Sequence, residues 1–372
     1  MHLERLDISR FRNLDSVGID LAAGLNFFYG ANGAGKTALL EAVHFLASGR
    51  SFRSGQARSL IQKDSQSMTV RAVVQSEQGP VVTLAVNRSQ QGDTSIRVNG
   101  ARERQLSELA RRIPVQVLLP DVADLVFGAP QLRRQWLDWG AFHVKPHYLD
   151  ALRGYVRTLK QRNSMLKQIQ MGAESPAALG VWTERLVAAA AVVTEIREEY
   201  LAALGAVFAA TTADLAPELN VRVCYRRGWA EEIELHKVLG EMQHREVKLG
   251  STQAGPHRGD IDLRVGSDAR SSKAATELSR GQGKVVASAL RIAQAKLLVE
   301  LGRQKSLFLI DDVGAELDDE HNSRFFQVLA DMGCQIMAAS TRPPGGIVSY
   351  FTALPSTVFH VEHGVVHRSS DG

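Results

Sequence analysis

The apolar positions change their period along the chain. From Leu3 to Tyr29 they predict two strands around a turn, and from Met68 to Val98 the recurrence of Val70, Val73, Val81, Leu84, Val86 and Ile96 predicts further strands. Beyond Pro120-Asp121 the period lengthens. Gln131 to Gln170 reads as helix, with Leu149, Leu152, Val156, Leu159 and Leu166 on one face. After the break at Gly172-Ala173-Glu174-Ser175-Pro176, the positions Trp182, Leu186, Ala189, Val193, Ile196, Tyr200 and Val207 repeat at spacings of three and four, so the two stretches predict an antiparallel helical hairpin. At about 1.5 Å per residue, arms of roughly 30 residues reach about 45 Å, which makes a lobe and not a long coiled-coil arm. Two later runs, Ser306 to Ile310 and Cys334 to Ser340, are apolar nearly throughout, the pattern of parallel strands buried on both faces.

Chemistry enters where the run Leu25-Asn26-Phe27-Phe28-Tyr29 ends. Gly30-Ala31-Asn32-Gly33-Ala34-Gly35-Lys36-Thr37 satisfies G-x-x-x-x-G-K-[ST] between that strand and an amphipathic helix carrying Leu39, Leu40, Val43, Phe45 and Leu46. This is a phosphate-binding P-loop. Its glycines let backbone N–H groups converge on the α- and β-phosphates, Lys36 reaches the β/γ-phosphates, Thr37 offers a hydroxyl to Mg²⁺, and the helix start adds its positive end. A nucleoside triphosphate with Mg²⁺ is the expected ligand.

The other elements resemble parts of ABC-type ATPases. The strand to Ile310 ends in Asp311-Asp312 and looks like a Walker B element, in which Asp311 serves Mg²⁺ and Asp312 orients or deprotonates the attacking water. Glu277-Leu278-Ser279-Arg280-Gly281-Gln282-Gly283, ahead of a helix through Val286, Leu290, Ala293 and Leu297, resembles the LSGGQ signature, with Arg280 in place of the first glycine. Ser279 suits an N-cap there. In that superfamily Ser279, Gly281 and Gln282 would face the nucleotide held by a second copy, so the resemblance implies two heads closing on two ATP molecules. Ala315-Glu316-Leu317-Asp318 is similar to the D-loop, which places Asp318 at the dimer contact. No histidine stands at Thr341, where transporters carry their switch residue. Ser340 and Thr341 remain open as a γ-phosphate sensor or a turn cap, and no glutamine is assignable to a Q-loop, Gln116 included.

Composition refines this picture little. The 372 residues suit about two domains, and a net charge of +4 permits a polyanionic partner without requiring one. Cys224 and Cys334 lack any C-x-x-C spacing, so neither a zinc site nor a disulfide framework is expected. Glu4, Arg5, Asp7 and Arg10 interrupt any secretory leader, and the longest apolar tract, Leu186 to Val193, is far short of the ~20 residues of a membrane span. The chain is therefore expected to be cytoplasmic with no membrane partner. Arg153, Arg157, Lys160 and Lys167 share one face of the first long helix and are candidates for the DNA backbone, against the alternative of a solvated face.

Ile8 to Leu14, the P-loop, Ser48 to Ser54, Pro120-Asp121 through Arg133 to Asp138, Gly255 to Asp260, Leu278 to Gln282 and Asp311-Asp312 together closely resemble the bacterial RecF family over essentially the whole chain. The resemblance implies an α/β, ABC-type P-loop ATPase head of mixed sheet and flanking helices with an inserted, mainly helical lobe. The expected division is residues 1–120 as the N-terminal part of the head, 121–220 as the lobe and 221–372 as the C-terminal part of the head. It also implies a weak DNA-stimulated ATPase that forms an ATP-dependent homodimer, binds double-stranded and gapped DNA, and acts with RecR and RecO to load RecA in repair, replication restart and the SOS response. The rival reading is another ABC-type ATPase, such as a transporter nucleotide-binding subunit. A buried structural role is expected for His257.

Overall fold

Alternation of buried and exposed positions fixes the first layer of the computed structural model, which describes residues 1–53, 57–76, 79–266, 271–313 and 319–369. Strands β1 (His2–Phe11) and β2 (Leu14–Asp20) form a hairpin, and β3 (Leu25–Tyr29), almost wholly buried, leads through the P-loop into helix α1 (Lys36–Ser48). Three strands therefore occupy the span where two were expected. β4 (Ser67–Gln75), β5 (Val82–Ser89), β6 (Thr94–Val98) and β7 (Ala101–Glu103) follow, then α2 (Leu106–Arg112) and β8 (Val115–Leu118).

The middle of the chain is mostly helical. α3 (Asp124–Phe127), α4 (Pro130–Val144), α5 (Tyr148–Gln170) and α6 (Leu179–Leu215) precede β9 (Val221–Arg226), α7 (Leu235–Leu249), β10 (Asp260–Val265), β11 (Ser272–Lys273) and α8 (Ala274–Glu277). The single helix expected over Gln131–Gln170 is broken at Lys145-Pro146-His147, because proline removes an N–H and clashes with the preceding turn. α9 (Arg280–Glu300), β12 (Leu307–Ile310), α10 (Asp319–Asp331), β13 (Ile336–Ser340), β14 (Thr357–Glu362) and β15 (Val365–Arg368) complete the order.

Two compact units result. The first, Met1–Val122, Asp214–Ala216 and Ser288–Gly372, holds two six-stranded sheets. One is antiparallel, in the order β2-β1-β4-β5-β6-β7; the other runs β15-β14-β3-β13-β12-β8 and is parallel except for β15. A single apolar cluster including Leu6, Ile8, Phe45, Leu46, Val70, Leu309 and Met337 lies among β1, β4, α1, β12 and β13. The buried Gln335 amide ties the two sheets together: its oxygen accepts from Leu3 N at 2.7 Å, and its nitrogen donates to Leu3 O at 2.8 Å and Ala22 O at 2.7 Å.

The second unit, Ala123–Ala213 and Pro217–Ala287, contains the helices and its own sheet, β11-β10-β9. Residues 221–287 fall in this unit, where β9 and β10 pair with each other over six residues and, among the described residues, with no strand of the larger sheets. Helices α5 and α6 pair antiparallel: Arg197 Nε donates to the Tyr148 hydroxyl at 2.9 Å, Arg162 Nε donates to Thr183 Oγ1 at 3.1 Å, and Leu166 packs with Leu179 near the turn. α6 is also long and apolar enough, by length and composition alone, to cross a bilayer, which differs from the expectation drawn from its longest uninterrupted tract. Two of its charges are engaged within the fold, Arg197 with Asp138 at 2.7 Å and Glu198 with Arg227 at 2.5 Å.

Candidate functional site

Three neighbouring parallel strands deliver the site. β13 lies between β3 and β12, pairing Ser340 with Tyr29 and Ala338 with Ile310, so the segments after Tyr29, Ile310 and Ser340 leave the carboxyl edge of the sheet side by side. Open α/β sheets present ligands at that edge. A cleft of about 610 Å³ occupies it, lined by Asn32, Gly33, Gly35, Lys36, Thr37, Pro120, Asp311, Asp312, Val313, Ala339, Ser340, Thr341 and Arg342.

The P-loop backbone explains its glycines. Gly30 has φ +156°, and a Cβ there would lie 2.1 Å from Val361 O; Gly35 has φ +119°, and a Cβ there would lie 2.9 Å from Leu14 Cδ2. Only glycine fits either position. Lys36 Nζ donates to Gly30 O at 2.7 Å and Ala31 O at 2.8 Å, holding the loop closed on itself. Burial lowers the Lys36 pKa, and Asp311 and Asp312 oppose that shift. Asn13 Nδ2 braces the loop from outside by donating to Gly33 O at 3.1 Å.

Thr37 and Asp311 are brought together from positions far apart in sequence: the Thr37 hydroxyl donates to Asp311 Oδ1 at 3.1 Å. Burial raises the Asp311 pKa; Thr37 counters this, Asp312 adds to it, and Arg53 and Lys36 pull it down. Asp312 is exposed and holds a left-handed φ of +59°, a strain of roughly 1–3 kcal/mol for a non-glycine residue. These residues fit a magnesium-bound nucleoside triphosphate. The start of α1 carries no side-chain cap and no acidic residue in its first turn, leaving its N–H groups to an anion. Thr37 and Asp311 supply one hydroxyl and one carboxylate, the sparse protein ligation that Mg²⁺ takes when phosphates and waters complete its shell.

The signature segment belongs to the second unit. Ser279 Oγ accepts from Gln282 N at 3.3 Å and Gln282 Oε1 accepts from Ser279 N at 3.0 Å, a reciprocal capping box at the start of α9. Ser279 and Gly281 are both exposed, and a Cβ on Gly281 would meet nothing closer than Ser279 Oγ at 4.0 Å, so this helix start can approach another surface. Gly283 serves packing instead, since a Cβ there would lie 2.2 Å from Phe127. The D-loop residue Asp318 lies outside the described residues.

His257 is structural. Its Nε2 faces Thr252 O at 3.2 Å and its Nδ1 faces the Tyr155 hydroxyl at 2.6 Å, an arrangement met by a neutral ring with the proton on Nε2. Burial pushes its pKa down to about 4. The rest of that motif is held by Arg133, which donates to both Asp260 oxygens at 2.8 and 2.9 Å.

Arg153, Arg157, Lys160 and Lys167 are all at least partly exposed on α5, and Arg153 faces Asp150 of the same helix at 3.9 Å. Gln116 is fully buried on β8 and meets Gln294 at 3.3 Å and Arg291 at 3.4 Å, so it serves the core and not the cleft. Reading the sequence missed Asn13, Pro120 and Arg342 as site residues. Asn13 and Pro120 were visible only as parts of the Phe11-Arg12-Asn13 and Pro120-Asp121 resemblances; Arg342 carries no local signal.

Comparison with known proteins agrees with this geometry. Residues 2–354 match the RecF/RecN/SMC N terminal domain family. The chain is similar to the DNA replication and repair protein RecF of Shewanella piezotolerans (strain WP3 / JCM 13877), 39% identical over 367 residues that cover 98% of this chain and 99% of that protein. RecF of Pseudomonas entomophila (strain L48) is 38% identical over 371 residues, covering 100% and 99%. The solved recombination mediator RecF with ATP, from the RecFOR pathway, superposes with a TM-score of 0.86 at 25% identity over 99% of this chain and 98% of that one. The SMC head bound to the C-winged helix domain of ScpA shares the fold, with a TM-score of 0.61 at 16% identity over 99% and 97%.

Proposed function

Since the chain belongs to the RecF/RecN/SMC family, with RecF relatives along its full length, we propose that it is a DNA replication and repair protein that works as an ATP-dependent recombination mediator. It binds ATP with Mg²⁺, dimerises on ATP, engages duplex and gapped DNA, hydrolyses ATP weakly under DNA stimulation, and acts in the cytoplasm with RecR, RecO and RecA.

The observation that carries this reading is the 3.1 Å contact between Thr37 and Asp311 beside Lys36 in one polar cleft. Bound ATP and Mg²⁺ supply the transferable phosphoryl group and the cation that neutralises its charge. The backbone of residues 30–37 holds the phosphates, and Lys36 exchanges a loop carbonyl for a phosphate oxygen. Thr37 and Asp311 hold the cation's protein side, and Asp312 orients the attacking water. Ser279 and Gly281 of a second copy complete the site, with Gln282 fixing Ser279 and Asp318 at the dimer contact.

Sedimentation velocity of the purified chain with a gapped duplex, at two salt concentrations and with no nucleotide, ADP or ATP plus Mg²⁺, tests the reading. The expected result is an ATP-specific dimer with salt-sensitive DNA binding, and a Ser279→Ala chain that binds ATP yet stays monomeric. A monomer indifferent to nucleotide and to DNA overturns it.

A further inference from the structure

We propose that Arg342 is the residue by which this cleft distinguishes a nucleoside triphosphate from a diphosphate: its guanidinium takes the terminal phosphate. The inference rests on the ATP-binding reading above and deepens it.

The placement comes from the sheet. Arg342 follows β13, the strand between the one that delivers the P-loop and the one that delivers Asp311 and Asp312, and it lines the same cleft as Lys36, Thr37 and both aspartates. Lys36 and Arg342 are the two cations of that lining, and without nucleotide Lys36 holds Gly30 O and Ala31 O, one of which it gives up for a phosphate oxygen. Arg342 is exposed, and among the described residues its guanidinium has no ion-pair partner. A planar fork of donors beside two carboxylates, with neither of them paired to it, suits an incoming phosphate group with several oxygens to satisfy.

Its backbone is held in place. Arg342 N donates to Ser340 Oγ at 3.3 Å, and Ser340 Oγ in turn donates to Val313 O at 3.4 Å, next to the paired aspartates. Pro343 and Pro344 follow directly. A proline restricts the residue before it to extended backbone and fixes its own φ, so the stem carrying Arg342 loses little further freedom when a ligand arrives. Preorganisation of this kind lowers the entropic cost of binding. Ser340 thereby acts as the anchor of this cation, which resolves the choice between sensor and turn cap in favour of a cap that aims its neighbour.

Titrating fluorescent mant-ATP and mant-ADP with Mg²⁺ into the full chain, its Arg342→Ala and Arg342→Lys forms, and a Lys36→Ala reference tests this. Losing a charge-assisted hydrogen bond to the terminal phosphate should weaken mant-ATP at least about tenfold in Arg342→Ala while mant-ADP changes less than about twofold, with Arg342→Lys between. Equal weakening of both nucleotides, or of neither, overturns the assignment. A wild-type chain that binds neither, or binds both regardless of Lys36→Ala, overturns the nucleotide reading together with it. Because the side chain is exposed, unchanged melting temperatures are expected in both variants.

Discussion

Asp311 shows how one residue reconciles stability with ligand chemistry. Burial raises its pKa above the ordinary carboxylate value. A carboxyl whose folded pKa is raised favours the folded chain fully below its unfolded value, and that contribution is lost as pH rises through the folded value. Above its folded pKa the ionised Asp311 is therefore a cost that a bound cation relieves. Asp311→Asn should raise the melting temperature of the nucleotide-free chain at pH 7 by roughly 2 °C, while abolishing the further rise that Mg²⁺ and ATP give the wild type. Scanning fluorimetry with and without Mg-ATP checks both signs; a lower melting point without ligand contradicts the burial argument. At this scale the P-loop was legible because its chemistry is backbone conformation written in eight consecutive residues. Pro120 and Arg342 reach the cleft from other strand ends and Asn13 braces the P-loop from the turn between β1 and β2, and no local spacing records that convergence.

Among elements, the helices of the second unit are locked by a buried charge. Arg162 on α5 and Glu246 on α7 are both fully buried, with Nη2 and Oε2 2.8 Å apart as an ion pair off hydrogen-bond geometry. Arg162 also donates to Thr183 on α6 and, at 2.8 Å, to Thr252, while Glu246 accepts from Gln253 N at 2.7 Å. Removing one partner leaves the other charge buried and alone, a loss of about 3–5 kcal/mol, whereas replacing both with apolar residues removes the desolvation penalty as well. Arg162→Met alone should thus destabilise far more than Arg162→Met with Glu246→Leu. All four tryptophans, Trp136, Trp139, Trp182 and Trp229, lie in this unit, so urea unfolding followed by tryptophan fluorescence reports on it selectively. Equal losses for the single and double variants would remove the ion pair from its locking role. Helical periodicity announced these elements but not the buried Arg162 on α5, because burial of a charge is a property of packing and not of period. The break at Pro146, by contrast, is written locally in the proline, inside an otherwise continuous apolar pattern.

For the whole molecule, the order of motifs carried the family resemblance while the division into units did not follow from it. The switch from strand to helix near Pro120-Asp121 left a mark in apolar period; the return at residue 288 left none, because β9 and β10 read like strands of any sheet and α9 runs on from one unit into the other without a break. What the second unit offers to a partner is best argued from charge. Arg153, Arg157, Lys160 and Lys167 stand along the solvent side of α5, and the Asp150 contact at 3.9 Å is too long and too solvated to neutralise the row. A row of cations without base-reading geometry gives affinity that depends on salt and not on sequence. Replacing all four by alanine should weaken binding to a gapped duplex uniformly across sequences and lower the slope of log K against log salt by about 3.6, since each phosphate contact contributes roughly 0.9. ATP binding, carried by the other unit, should be unchanged in the same variant. A slope that does not move, measured by fluorescence anisotropy at several salt concentrations, would return this face to solvent.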